Sequence, residues 1–264
     1  DMTPEMPWLR RLFRDEPVFA GATLLFLLMI VPTLGAMALD TRLHETENIW
    51  VKPLKFQVAL AIYLGTLTFY ARWLPWPMRD APWYRVYTWV VIAACMAEIV
   101  WIGGAASLGT ISHFNVATPA LEALYGVMGL LATVLTTASL VYGIAIWRNE
   151  ALAMPEGVRI GLGVGLVITF PLTLLTAGYM SMGLSHFVGV PITNSVLPLM
   201  GWSTEVGDLR VAHFFATHAM HAVPLAAWLL GASARVVYVF GALYAGFVLA
   251  TFAQAIAGLP LIPL

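Results

Sequence analysis

The sequence predicts an all-α integral membrane protein, built as a single bundle of seven transmembrane helices. Three observations predict it. Of 264 residues, 60% are hydrophobic and 10% are charged, whereas a soluble domain carries about 25% charged residues. Seven stretches each supply the run of about 20 mostly apolar residues that a bilayer span needs. The basic residues are also distributed unevenly over the segments between these stretches, as insertion into a membrane requires.

Residues 1–16 interleave Met6, Trp8, Leu9, Leu12 and Phe13 with Arg10, Arg11 and Arg14. That pattern suits a short amphipathic helix lying on the membrane surface, separate from the transmembrane domain of residues 17–264. The first span is expected at 17–39. Ala36-Met37-Ala38 resembles a signal cleavage site, but the apolar run is longer than the 7–15 residues of a signal core, so it is read as a retained span. Further spans are expected at 55–74, 85–108, 121–147, 157–183, 211–231 and 234–258. Pro171 and Pro224 predict kinks in the fifth and sixth. Gly161 with Gly165, and Ala242 with Gly246, offer small-residue faces for close helix contact.

Orientation follows from the cations. With the amino terminus in the cytoplasm and the carboxyl terminus outside, nine arginines (10, 11, 14, 72, 79, 85, 148, 159 and 235) lie on the cytoplasmic side. Arg42, Lys52, Lys55 and Arg210 lie opposite, completing the 13 basic residues of the chain. Trp73, Trp76, Trp83 and Trp147 fit an inner aromatic belt. A bacterial inner membrane is the expected location.

The same topology places all six histidines toward the outer, periplasmic side. His44, His113 and His186 fall in outer loops, and His213, His218 and His221 head the sixth span. His218 and His221 are three apart, about 60° and ~4.5 Å on a helix, so they can serve one centre. His213 sits higher and would join loop residues such as His113. Imidazole ligates zinc, copper, iron and haem iron. These four histidines are therefore the candidate ligands of a metal ion (Fe, Cu or Zn) or haem b. The alternative is that they hydrogen-bond to neighbouring backbone and side chains.

Glu98 lies about 15 Å below the outer end of the third span, and His221 lies about as deep in the sixth. A carboxylate so placed needs a partner or a proton. It is the candidate catalytic acid or base, as ligand, orienter of a histidine or proton relay; a protonated glutamic acid satisfied within the bundle is the plainer account. Thr118 is expected to cap the fourth helix, with Pro119 at its first position. Lys52, Lys55, Gln57, Asn115, Arg210 and Gln254 are candidate binding residues around the outer mouth. Asp40, Glu45, Glu47, Glu205 and Asp208 would instead pair with these cations and with Arg42 as a lid.

Several functions are excluded. One cysteine, Cys95, rules out an intrachain disulfide and thiolate clusters. No basic face suits nucleic acid. No lysine occurs in 234–258, so a retinal Schiff base in the last helix is absent. The expectation is membrane redox or electron transfer, with quinol as a partner and a place in a larger membrane complex. The alternatives are a zinc-dependent hydrolase acting on a lipid substrate at the outer leaflet, and a non-catalytic subunit or small-molecule carrier.

Overall fold

The computed structural model describes residues 7–44 and 47–264. Met6 and Glu45, which carry parts of the expectations above, lie outside the described residues. The fold is helical throughout, and six helices are long and apolar enough to cross a membrane, as in an all-α membrane protein. The chain divides into two compact units, residues 1–138 and 139–264.

The first unit opens with α1 (Trp8–Asp15), which meets α2 (Pro17–Leu39) across Glu16. Pro17 sits at the first position of α2, where the missing N–H costs nothing. A two-residue hairpin, β1 (Leu43–His44) with β2 (Glu47–Asn48), leads into α3 (Val51–Tyr70). A 3-10 turn, Ala71–Trp73, and the short α4 (Trp76–Asp80) lead into α5 (Pro82–Ser107). The helix α6 (Pro119–Trp147) begins in this unit and ends in the next. α3 packs mainly on α2, and Gly65 lies in van der Waals contact with Thr23. Phe19, Phe26, Leu64, Leu67, Val91 and Cys95 form the interior. Leu24, Leu25, Leu28 and Val31 point away from it, as lipid-facing positions do. α3 begins four residues before the expected span, so Lys52 and Lys55 sit in its first turn.

The second unit holds the end of α6, α7 (Glu156–Met182), a long loop bearing the paired β3 (Phe187–Val188) and β4 (Gly207–Asp208), α8 (Leu209–Leu229) and α9 (Ala234–Ile256). α8 packs on both α7 and α9. The α7 contact is close because glycines line it. A Cβ on Gly157 would stand 1.8 Å from the Ala232 carbonyl oxygen, one on Gly161 2.6 Å from Ala227 Cβ, and one on Gly165 2.8 Å from the Ala219 carbonyl oxygen. The Gly161/Gly165 face is therefore a contact face, as expected. The second predicted pair is corrected: Ala242 is exposed and Gly246 meets nothing within 4 Å. α9 instead turns Gly241, whose Cβ would meet Val164 at 2.7 Å, toward α7. α7 and α8 remain helical across Pro171 and Pro224.

α8, with 21 residues, is long enough to span but is not among the six sufficiently apolar helices. The cause is its first thirteen residues, 209–221, where Arg210, His213, His218 and His221 interrupt the apolar run.

Candidate functional site

Asp208 starts α8. Its carboxylate accepts from the Arg210 backbone N–H at 3.0 Å, as an N-cap should, and from the Ser203 N–H at 3.0 Å. It also accepts from the Arg210 guanidinium at 2.6 Å, and that guanidinium donates to the Gly201 carbonyl at 2.7 Å. Arg210 thus ties the preceding loop to the helix, a structural task. Glu205 organises the same loop, accepting from the backbone N–H groups of Ile192, Thr193 and Ser195 and from the Thr193 hydroxyl. Those donors hold its carboxyl down at about 2.

The three α8 histidines are held differently from one another. Thr176 on α7 donates its hydroxyl hydrogen to the carbonyls of Leu172 (2.9 Å) and Thr173 (3.2 Å). Its oxygen can then only accept from His213 Nδ1, 3.1 Å away. His218 Nδ1 lies 2.7 Å from the Phe214 carbonyl oxygen, an acceptor only, so Nδ1 carries the proton. With Nδ1 carrying the proton, Nε2 is the nitrogen able to bind a metal. The His218 ring is stacked on Phe214, with centroids 4.1 Å apart. Phe214 is in turn braced edge-on by Trp202 at 5.4 Å.

The His218 and His221 ring centroids are 5.3 Å apart. Two imidazoles around one tetrahedral ion, with metal–nitrogen distances of 2.0–2.1 Å, have centroids roughly 5 Å apart. The pair thus stands at a ligating separation. Among the described residues no group of three or more His, Cys, Asp or Glu side chains could hold a metal ion. A centre here would need donors other than further His, Cys, Asp or Glu side chains of the described residues.

The first unit holds a second polar group. Glu98 on α5 is 3% exposed, and its Oε1 receives no hydrogen bond. Lys52, at the start of α3, acts electrostatically on both Glu98 and His113. His113 receives Phe56 at 5.3 Å and Tyr125 at 6.3 Å, and its Nδ1 is 3.0 Å from Ser112 Oγ. Burial first, and the Lys52 charge second, push the imidazole down to about 3, so it is neutral at pH 7.

Asn115 is a loop organiser: its amide donates to the Ile111 carbonyl at 2.8 Å and to the Thr110 hydroxyl at 3.3 Å. Gln57 donates to Thr33 Oγ1 at 2.8 Å, while its Oε1 receives nothing. Lys55 pairs with Glu47 at 3.1 Å on the surface. Gln254 donates to the Pro260 carbonyl at 2.6 Å, fastening the chain after α9. Thr118 accepts from the Leu121 N–H at 3.2 Å, the expected cap.

The acids and bases at residues 40–55 and 201–210 pair locally. Asp40 and Arg42 form a bidentate pair, the closest contact 2.7 Å, and Trp50 Nε1 also donates to Asp40 at 3.0 Å. The Arg42 guanidinium and the indole hold the Asp40 carboxyl well below the usual carboxylate range.

One cluster was not anticipated. At the other end of the first unit the Asp15 carboxylate, with its side chain 4% exposed, faces Arg14 at 3.0 Å, Arg79 at 3.3 Å and Arg11 at 3.5 Å. Glu16 beside it accepts a hydrogen bond from the Tyr84 hydroxyl. The available signal was an Asp-Glu pair at a helix junction among arginines. No family model matches this chain, and no curated protein or solved structure is similar to it.

Proposed function

We propose that the chain is a seven-span redox protein, carrying an iron or copper centre on α8 with His218 and His221 as its protein ligands. In this reading α8 crosses the membrane with the six apolar helices, and the site opens to the periplasmic side under the N-in, C-out orientation. The observation that carries it is the pair of imidazoles 5.3 Å apart, with His218 Nδ1 engaged by the Phe214 carbonyl so that Nε2 is left for a ligand. A backbone acceptor on the distal nitrogen is the usual way a ligating histidine is oriented and made more basic.

Two protein donors favour centres that bring or borrow the rest. Haem iron receives four nitrogens from its porphyrin and needs one or two side chains. Haem, which brings most of its own donors, would be held by His218 or His221. Copper suits imidazole ligands and takes exogenous ones. Bound there, the centre would supply one-electron chemistry. The protein's part is to orient the imidazole and to exclude water with Phe214, Trp202 and Phe215.

The zinc-hydrolase reading is less favoured, because a catalytic zinc ordinarily takes three protein ligands. The test is elemental analysis with a visible spectrum of the purified protein. Stoichiometric iron or copper, or a Soret band, lost in His218→Ala, supports the proposal. Stoichiometric zinc alone would favour hydrolysis.

A further inference from the structure

We infer that the end of the first unit formed by α1, α4 and the start of α5 is a binding site for the phosphate headgroup of an anionic phospholipid. The inference needs only a membrane protein and does not rest on the α8 centre. Its basis is a local charge imbalance. One carboxylate, Asp15, faces three guanidinium groups within 3.5 Å, those of Arg11, Arg14 and Arg79. Arg72 adds a further positive charge close enough to act on Asp15. Glu16 is occupied by Tyr84 on the inner side.

Residues 7–16 and 71–85 together contain six arginines and three carboxylates. Arg79 is the buried member of the cluster, and Arg11 and Arg14 are half-exposed beside it. The Arg79 side chain is only 10% exposed, stacks on Trp76 at 4.1 Å, and keeps a buried Nε–H with no acceptor. A buried guanidinium N–H calls for an anion with several acceptor oxygens, which a phosphate supplies.

The surroundings choose a lipid over a soluble anion. Trp8 (68% exposed) and Trp76 (62%) flank the arginines, with Leu9 and Phe13 also exposed. Tryptophan beside arginine is the composition of a helix seated at the headgroup level. Arg11 and Arg14, each half-exposed, are free to reach a headgroup while still touching Asp15.

The test uses the full chain in detergent, offered phosphatidylglycerol or phosphatidylcholine, with retained lipid counted by native mass spectrometry. Phosphatidylglycerol is retained over phosphatidylcholine, and retention falls with added salt. Arg11→Gln with Arg14→Gln lowers that preference roughly fivefold per arginine. Arg235→Gln, an exposed arginine of the second unit, leaves it unchanged. Arg79→Gln leaves Asp15 with Arg11 and Arg14; a lowered preference at unchanged helical content by circular dichroism supports the inference, and an unchanged preference in the folded variant counts against it. Equal retention of the two lipids, an unchanged preference in the double variant, or displacement of the lipid by millimolar inorganic phosphate overturns the inference.

Discussion

His218 donates its Nδ1 proton to the carbonyl of Phe214, 2.7 Å away and one turn back along the same helix. That bond fixes the ring's tautomer and leaves its other nitrogen basic. His213 reaches the same state through a side chain of a neighbouring helix, because the Thr176 hydroxyl has already given its hydrogen to α7 carbonyls.

The two arrangements predict different responses. Thr176→Val removes the acceptor of a buried His213 N–H and should lower stability by about 1–3 kcal/mol. It should leave the metal content attributed to His218 and His221 unchanged. Thermal unfolding in detergent, followed by elemental analysis of the same sample, checks both.

The close approach of α7 to the turn between α8 and α9 predicts a sharp positional contrast among glycines. Gly157→Ala places a methyl group 1.8 Å from the Ala232 carbonyl oxygen, so backbone must move. A loss of about 1–3 kcal/mol or more is expected from such overpacking. Gly246→Ala meets nothing within 4 Å and should be neutral, or stabilising by up to about 1 kcal/mol through helix propensity. Circular dichroism melts of the two variants make the comparison.

Arg210→Ala should be among the most damaging loop substitutions. It leaves the Asp208 carboxylate, whose side chain is fully buried, without its cation. Removing one partner of a buried pair typically costs about 3–5 kcal/mol. Lys55→Ala breaks only an exposed pair with Glu47 and should cost less than about 1 kcal/mol. Limited proteolysis of the loop at 183–208 would report the difference directly.

His113 predicts a pH dependence. Its folded-state value near 3 lies below the unfolded value of 6.5, so the unfolded chain binds the extra proton first. Its contribution is complete above pH 6.5 and declines as pH falls toward 3, by up to about 1.4 kcal/mol per pH unit. His113→Phe should flatten that limb of the stability–pH curve while the slope above pH 7 is unchanged.

Much of the helical framework was legible in the sequence, because a bilayer demands long apolar runs and those runs are visible without any partner. The first span, the Thr118 cap and the Gly161/Gly165 face all emerged from local rules. Helix starts were less legible: α3 begins at Val51, because its first turn tolerates Lys52, which hydropathy treats as loop. Gly246 misled because spacing alone does not say which side of α9 meets α7. The sites were legible as residue types and not as bonds. Arg210 and Gln254 resemble ligand-binding residues in sequence, yet each is held by a backbone carbonyl of an adjacent loop. Asp15 passed unnoticed because its partner Arg79 is 64 residues distant. Only folding brings that charge back to α1.

The α8 centre is tested most directly by the visible absorption spectrum and metal content of the purified protein, compared with His218→Ala. The account predicts stoichiometric iron or copper, or a Soret band, in the parent protein and its loss in the variant at unchanged helical content. A colourless, metal-free parent that is fully folded would contradict it.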